Sequence, residues 1–373
     1  MYQRILDYVK YGPSNVDGTP FKTFHMHSLE ELTDMNVFQR LKLADWRLEL
    51  FTLFTCLAFG FLYKFGDLYN TKKVTTFLAG VKGVFEENFH LFGVDSGKLY
   101  EKDSAENFSS YASGRENIAK VNIVFRLAPR QNFFIWIMEL VFAYFTESVA
   151  TPEDKVDIII TPSADYENFI SAIVSKLGMN EYRKLNYYLS LTKTSDSPSL
   201  PESFVFMSEA IDYQEKIFTE RLAKSLNLSM ASFLRYLAFT DQPIDRPQAI
   251  RDLIPQRRVV LSLKLVTGKQ QLAEISEILG SVFEIVDKIS SGEIAFRAES
   301  SKKVVKTREA EIAKIKKAEE FTKQEALAEE KARLKREEKE KFRSLSKEEQ
   351  AKAEKKANER KQRKLQKKMK VRS

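Results

Sequence analysis

The sequence is poor in the residues on which most active-site chemistry is built. Of its 373 residues one is a cysteine, Cys56, and three are histidines. A single cysteine excludes any intramolecular disulfide and fits a reducing compartment. Cys56 lies within an apolar run, where a thiol serves as a small hydrophobe rather than as a nucleophile. His25 and His27 stand close together with no cysteine nearby and no further ligand, too little for a metal centre. His90 falls at a helix end, where a polar surface role is the default. There is no Gly-rich phosphate loop, nucleophile elbow or metalloprotease helix, and the carboxylates show no recognisable catalytic spacing. The sequence argues against an enzyme and calls for no cofactor and no metal. The N-terminus, Met1-Tyr-Gln-Arg-Ile-Leu-Asp7, lacks the apolar core of a signal peptide.

Glycine and proline are absent from Glu293 to Ser373, which predicts one long charged helical tail. From Arg297 onward the chain carries 28 Lys/Arg against 15 Asp/Glu. The whole chain has a net charge of only +8, so the excess of positive charge belongs to the tail. Its last fourteen residues hold eight basic side chains (Arg360, Lys361, Arg363, Lys364, Lys367, Lys368, Lys370 and Arg372) and no acid. A cationic tip on a helical arm points to a polyanion, either nucleic acid or an anionic membrane surface; the plainer reading is a solvated Lys/Glu helix. Pairs such as Glu319–Lys323 and Glu337–Lys341 run acid before base at i,i+4, the order that supports a single helix. Heptad spacing is confined to a few residues, such as Leu327 and Leu334, so the tail is coiled-coil-like rather than a long self-sufficient coiled coil. Ser346 and Glu349 form a capping box that predicts a break near 344–346, giving helices over 293–343 and 347–370. The first of these reaches about 75 Å.

Long apolar runs are scarce, and one matters. Leu50 to Tyr63 are fourteen consecutive uncharged residues. That is short for a span, which needs roughly 17–25 residues. The flanks extend it: Trp46 and Tyr63 suit the aromatic belts, and Arg47 and Lys64 can snorkel outward. Counted from Trp46 to Tyr69, the segment has 24 residues, enough for a tilted transmembrane helix. Trp46, Leu50, Leu57, Phe59 and Tyr63 mark this membrane span; the alternative is a buried helix of a soluble protein. Local charge does not orient it, since six Lys/Arg in the first 49 residues face four just after the run. The size and charge of the downstream part favour leaving it in the cytosol. The sequons Asn107-Phe-Ser and Asn227-Leu-Ser then go unused.

The remaining pattern is mixed. Ser28 and Glu31 make a capping box for a helix from Leu29. Val74, Phe77, Leu78, Val81, Val84, Phe85 and Phe89 recur at helical spacing, with Gly93 as a stop. Strands are expected on both sides of Ala112-Ser-Gly-Arg115, at Val156–Thr161, Phe233–Phe239 and Val259–Val266. Helices are expected over Arg130–Ser148 as a core helix (or one with a face toward the bilayer or a client helix), over Tyr166–Leu177, from the Pro201 loop through Ser225, and over Gln270–Ile289. Helices and strands alternate without a βαβ rhythm, so the fold class is α+β. The expected organisation is a short lumenal segment (1–45), a single N-terminal transmembrane helix (46–69), a cytosolic mixed α/β domain (70–292) and the basic helical tail (293–373).

This order of features resembles the calumin family, the coiled-coil-containing subunit of the PAT complex at the endoplasmic reticulum translocon. The residues carrying the resemblance are Asn88-Phe-x-Leu-x-Gly93, Ser113-Gly-Arg115, Arg257-Arg-Val-Val-Leu261 and Ile285-Val-Asp-Lys288. It runs from about Leu48 to the C-terminus. It implies a non-enzymatic intramembrane-chaperone or insertion role for multipass membrane proteins. It also implies a tail packed against the ribosome and its RNA, a small Asterix-like membrane partner, and contact with client transmembrane helices and the lipid bilayer. One departure concerns calcium. Animal members carry a long acidic lumenal segment linked to calcium binding, whereas residues 1–45 hold six scattered acids. The rival expectation is a soluble or membrane-tethered scaffold binding RNA or anionic lipid.

Overall fold

The computed structural model describes residues 28–43, 46–95, 97–146 and 152–344, together with Glu359, Gln362 and Arg363. Two short helices open it, α1 (Leu29–Asp34) and α2 (Val37–Leu43); Ser28 Oγ accepts from the Glu31 amide as its capping role requires. The 42-residue α3 (Arg47–Asn88) follows. The apolar run and the amphipathic segment after Tyr69 are therefore one unbroken helix with two characters. Its first half is exposed over most of its surface, with only Ala58 and Leu62 half-buried, whereas Gly66, Asn70, Val74, Phe77, Val81 and Phe85 form a buried stripe along its second half. An apolar surface on nearly every side belongs to a helix covered by lipid or by other protein, while a single buried stripe is the signature of packing on a core.

That core is built on a ten-stranded sheet whose main path runs β1 (Leu91–Phe92), β3 (Asn107–Ser113), β4 (Ile118–Arg126), β5 (Lys155–Pro162), β10 (Arg258–Lys264), β9 (Leu234–Thr240), β6 (Ser171–Ser175), β8 (Phe204–Ser208) and β7 (Lys193–Ser195). β2 (Glu101–Lys102) pairs with β3 off this path, and every pairing is antiparallel. Ile123, Ile158, Leu261, Leu237, Ile173 and Phe206 stand in register across six strands, all on one face of the sheet. Over this face pack the second half of α3 and the long helix α9 (Lys269–Ser290), with Phe77 edge-on to Phe125 and Phe89 edge-on to Phe283.

The opposite face is covered in part. At the β9–β6–β8 end, Val174, Val205 and Tyr236 lie with Tyr182 of α5 (Met179–Leu185) and with Tyr188 and Leu189 of α6 (Tyr187–Ser190). At the β4–β5 end the next row is more polar, and Asp157 accepts from Ser262 Oγ at 2.6 Å.

Three sequence expectations change. Tyr166–Leu177, expected as helix, holds strand β6, and the stretch from Pro201 to Ser225 holds strand β8 before the short helices α7 (Ile211–Ile217) and α8 (Glu220–Ser225). Both strands are buried along their whole length, so neither shows the alternation that marks a half-exposed strand. The third is the expected core helix: α4 (Phe133–Phe145) has no buried residue. The tail helix α10 (Ala298–Ser344) covers nearly the first predicted arm, and the second arm lies outside the described residues except for Glu359, Gln362 and Arg363.

Candidate functional site

The exposed half of α3 and the helix α4 form one apolar surface, held to the domain by a compact polar joint. Trp46, Leu50, Leu57, Phe59 and Tyr63 are between 43% and 65% exposed. Among the described residues α3 is the one helix long and apolar enough to cross a membrane. Phe59 stacks on Phe134 of α4 with ring centroids 6.4 Å apart. The chain leading into α4 reaches α3 at Gly66, where a side-chain Cβ would lie 2.5 Å from the Gln131 nitrogen, so only glycine permits this approach.

Below that crossing, Asn70 and Arg130 tie the pieces together. Arg130 donates to both oxygens of Asp154 (2.7 and 2.8 Å) and to Asn70 Oδ1 at 2.9 Å. Asn70 Nδ2 donates to the Ala105 and Ala128 carbonyls, and Lys73 Nζ donates to Asp154 Oδ2 at 2.6 Å. Arg130 and Lys73 both approach the Tyr69 ring. Burial alone would raise the Asp154 carboxyl; the bonds from Arg130, the Ala128 amide and Lys73 outweigh it and hold the group below its ordinary value. This knot fixes where the apolar half of α3 leaves the domain. Sequence reasoning missed it, although a polar Asn70 on the stripe between Gly66 and Val74 was a signal.

At the far end of α3 a second knot gathers residues from three of the four stretches that carried the family resemblance. Arg115 Nη1 donates to Asn88 Oδ1 at 2.6 Å, and its other nitrogens donate to Asp287 at 2.5 and 3.4 Å. Asn117 adds a bond to Asp287, and the guanidinium covers the Phe283 ring. Gly114, at φ +95°, brings the turn against His90. The fourth stretch acts elsewhere: Arg257 binds Asp165 and the Tyr166 carbonyl. These residues join α3 to α9 and to the sheet, a structural role.

The tail is rooted in the domain. Val304 is 2% exposed, and Arg308 donates to both oxygens of Glu209 (2.7 and 3.0 Å) and to both of Asp241 (2.8 and 3.2 Å). Tyr187 Oη donates to Glu311 at 3.0 Å. Burial pushes the Glu209 carboxyl up, only partly opposed by Arg308. From Glu320 through Glu337 every residue of α10 is exposed.

Across residues 45–364 the chain matches the family model of PAT complex subunit CCDC47. The chain belongs to this family. A UPF0674 endoplasmic reticulum membrane protein of Schizosaccharomyces pombe is 30% identical over 297 residues, covering 74% of this chain and 77% of that protein. Another UPF0674 endoplasmic reticulum membrane protein, from Saccharomyces cerevisiae, is 24% identical over 323 residues, covering 78% and 80%. The family match takes in the apolar helix, both knots, the sheet and the rooted tail.

Of the predicted tip residues, Arg363 is described, helical and exposed; Arg360, Lys361, Lys364, Lys367, Lys368, Lys370 and Arg372 lie outside the described residues, as do His25 and His27. Cys56 is exposed on the apolar surface. Among the described residues no group of three or more His, Cys, Asp or Glu is placed to hold a metal. A cavity of about 620 Å³ beside α4 is lined by charges of both signs, including Arg126, Lys155, Lys264, Glu139 and Glu153. Burial lowers the Lys155 ammonium despite the Asp157 carboxylate nearby.

Proposed function

We propose that this chain is a non-enzymatic biogenesis factor of the endoplasmic reticulum membrane, a PAT-complex-like intramembrane chaperone subunit that assists insertion of multipass proteins. In this reading α3 crosses the bilayer once, with residues 1–45 in the lumen and the sheet domain in the cytosol. The observation that carries it is the two-character helix: an apolar half that is largely exposed, touched by α4 at Phe59, runs without a break into the core of a folded domain. Membership of a family of complex subunits, and the endoplasmic reticulum membrane named for both relatives, support partners in that membrane. The small Asterix-like protein and client transmembrane helices belong to this proposal.

The tail gives the reading a second end. Its root is fixed by Arg308, so a tip binding the ribosome would transmit a defined position to the membrane surface. In the helix that the sequence predicts over 347–370, Lys361, Arg363, Lys364, Lys367, Lys368 and Lys370 would recur around the axis rather than along one stripe, which suits a crevice walled by ribosomal RNA phosphates near the translocon. Each neutralised phosphate releases counterions, so binding should weaken steeply with salt. Replacing Lys361, Arg363, Lys364, Lys367, Lys368 and Lys370 by glutamine should abolish salt-sensitive co-sedimentation with ribosomes while leaving membrane insertion intact. Unchanged co-sedimentation would move the contact onto the domain; flotation with anionic liposomes that depends on the same six residues would favour a lipid-binding scaffold.

A further inference from the structure

The helix α4 is apolar almost all round, yet it lies outside the core. Four of the less exposed residues at and along it, Asn132, Trp136, Glu139 and Ala143, recur at spacings of four, three and four, which places them on one face. Glu139 on that face lines the charged cavity of the domain with Arg126, Lys155 and Lys264. The rest of the circumference is apolar and open: Phe134 is 65% exposed, Met138 55%, Phe142 51% and Phe145 78%. A helix apolar on most of its sides is covered either by several protein elements at once or by lipid acyl chains. Exposed apolar surface on this scale marks an interaction site.

The position of α4 identifies the cover. Between the Gly66–Gln131 approach and the Phe59–Phe134 stack, the contact moves seven residues back along α3, about 10 Å toward its apolar end. The chain thus runs from the polar knot into the zone where α3 is uncovered. At 13 residues α4 is about 20 Å long, short of the roughly 30 Å hydrocarbon core. Both of its flanks return to the same joint, since Arg130 before it is paired with Asp154 after it.

We infer that Phe133–Phe145 is a second membrane-embedded segment, a half-inserted helix that enters and leaves on the domain side, lies against the span at Phe59, and takes lipid acyl chains on its open faces. This rests on the reading of α3 as a membrane span. With Glu139 turned to the domain, the carboxylate that argues against a second span is kept out of the lipid.

The test uses the full-length chain with Cys56→Ser as background and single cysteines at Met138, Val141 or Phe142. Each is labelled with an environment-sensitive fluorophore and reconstituted into phosphatidylcholine vesicles containing nitroxide lipids. Leu57→Cys reports on the span and Lys323→Cys on water. The expected result is blue-shifted emission at 138, 141 and 142, with loss of intensity that is greater for a nitroxide near the headgroup end of the acyl chain than for one near its methyl end. Label at 57 should be quenched by the deep nitroxide, and label at 323 only by aqueous iodide. If 57 is not quenched by lipid, the span reading fails and takes this inference with it. If 57 is quenched while 138, 141 and 142 answer to iodide, α4 lies in water and the inference alone is overturned. Labels that are blue-shifted but answer to neither quencher would mean that protein covers the helix, and would overturn it equally.

Discussion

Replacing Arg308 by methionine isolates the joint between domain and tail. The guanidinium spans two carboxylates whose side chains are 4% and 1% exposed, those of Glu209 and Asp241. Methionine keeps much of the apolar stem but leaves both acids buried without their countercharge. Removing one partner from a buried ion pair costs about 3–5 kcal/mol. In a domain of this size each kcal/mol lowers the melting midpoint by about 2–4 °C, so the midpoint should fall by roughly 6 °C or more. The loss has a pH signature. Glu209 already sits above its ordinary value because burial outweighs Arg308. A carboxyl with a raised folded pKa binds more protons folded than unfolded, so stability falls as pH rises through that folded value. Without Arg308 the folded value climbs further, and the deficit should widen as pH rises above the ordinary carboxylate range. The assay is thermal unfolding of the detergent-solubilised full-length chain, with amide exchange followed over 298–315. The triple variant R308M/E209Q/D241N should recover most of the loss, since neutral groups need no countercharge. A midpoint for R308M within about 2 °C of the parent at the higher pH, below about 1 kcal/mol, would refute the idea that this ion pair roots the tail.

Three other outcomes follow from the geometry. Leu57→Arg with Phe59→Arg puts two charges in the apolar half of α3, at roughly 2.5–3.5 kcal/mol each on insertion scales, and should release the protein from carbonate-washed membranes; retention in the pellet would contradict the span. An added glycosylation acceptor near Asn15 should be modified while Asn107 and Asn227 are not; both asparagines are exposed, so absence of modification would report topology rather than burial, and modification of either would place the domain in the lumen. Gly66→Leu forces a side chain into the Arg130–Gln131 backbone and should lower the thermal midpoint through about 1–3 kcal/mol of overpacking while membrane association persists; an unchanged midpoint would show that α4's leader and α3 do not meet there.

What the sequence determined by itself is what local forces determine. The apolar run before Lys64, the helically spaced set from Val74 to Phe89 and the helix without glycine or proline after Arg297 each declare helix through spacing and propensity alone. The strands at β3, β4, β5, β9 and β10 were likewise legible, β4 through the alternation of Val121, Ile123 and Phe125. The polar site residues were not. Arg130 reads as one more basic residue before an aromatic helix, and Arg308 as one of many cations in the tail, because a charge acquires its partner only when distant segments meet. Asn88, Arg115 and Asp287 illustrate this: Arg115 alone lies 172 residues from the Asp287 it binds. β6 and β8 were misread because a strand covered on both faces loses the alternation by which a strand is recognised. The helix Phe133–Phe145 is the sharpest case. Its composition fits a buried core helix and a lipid-facing helix equally, since both environments reward the same side chains. Only the tertiary structure removed the core reading, by placing the core on the other side of Glu139 and leaving the apolar faces without protein.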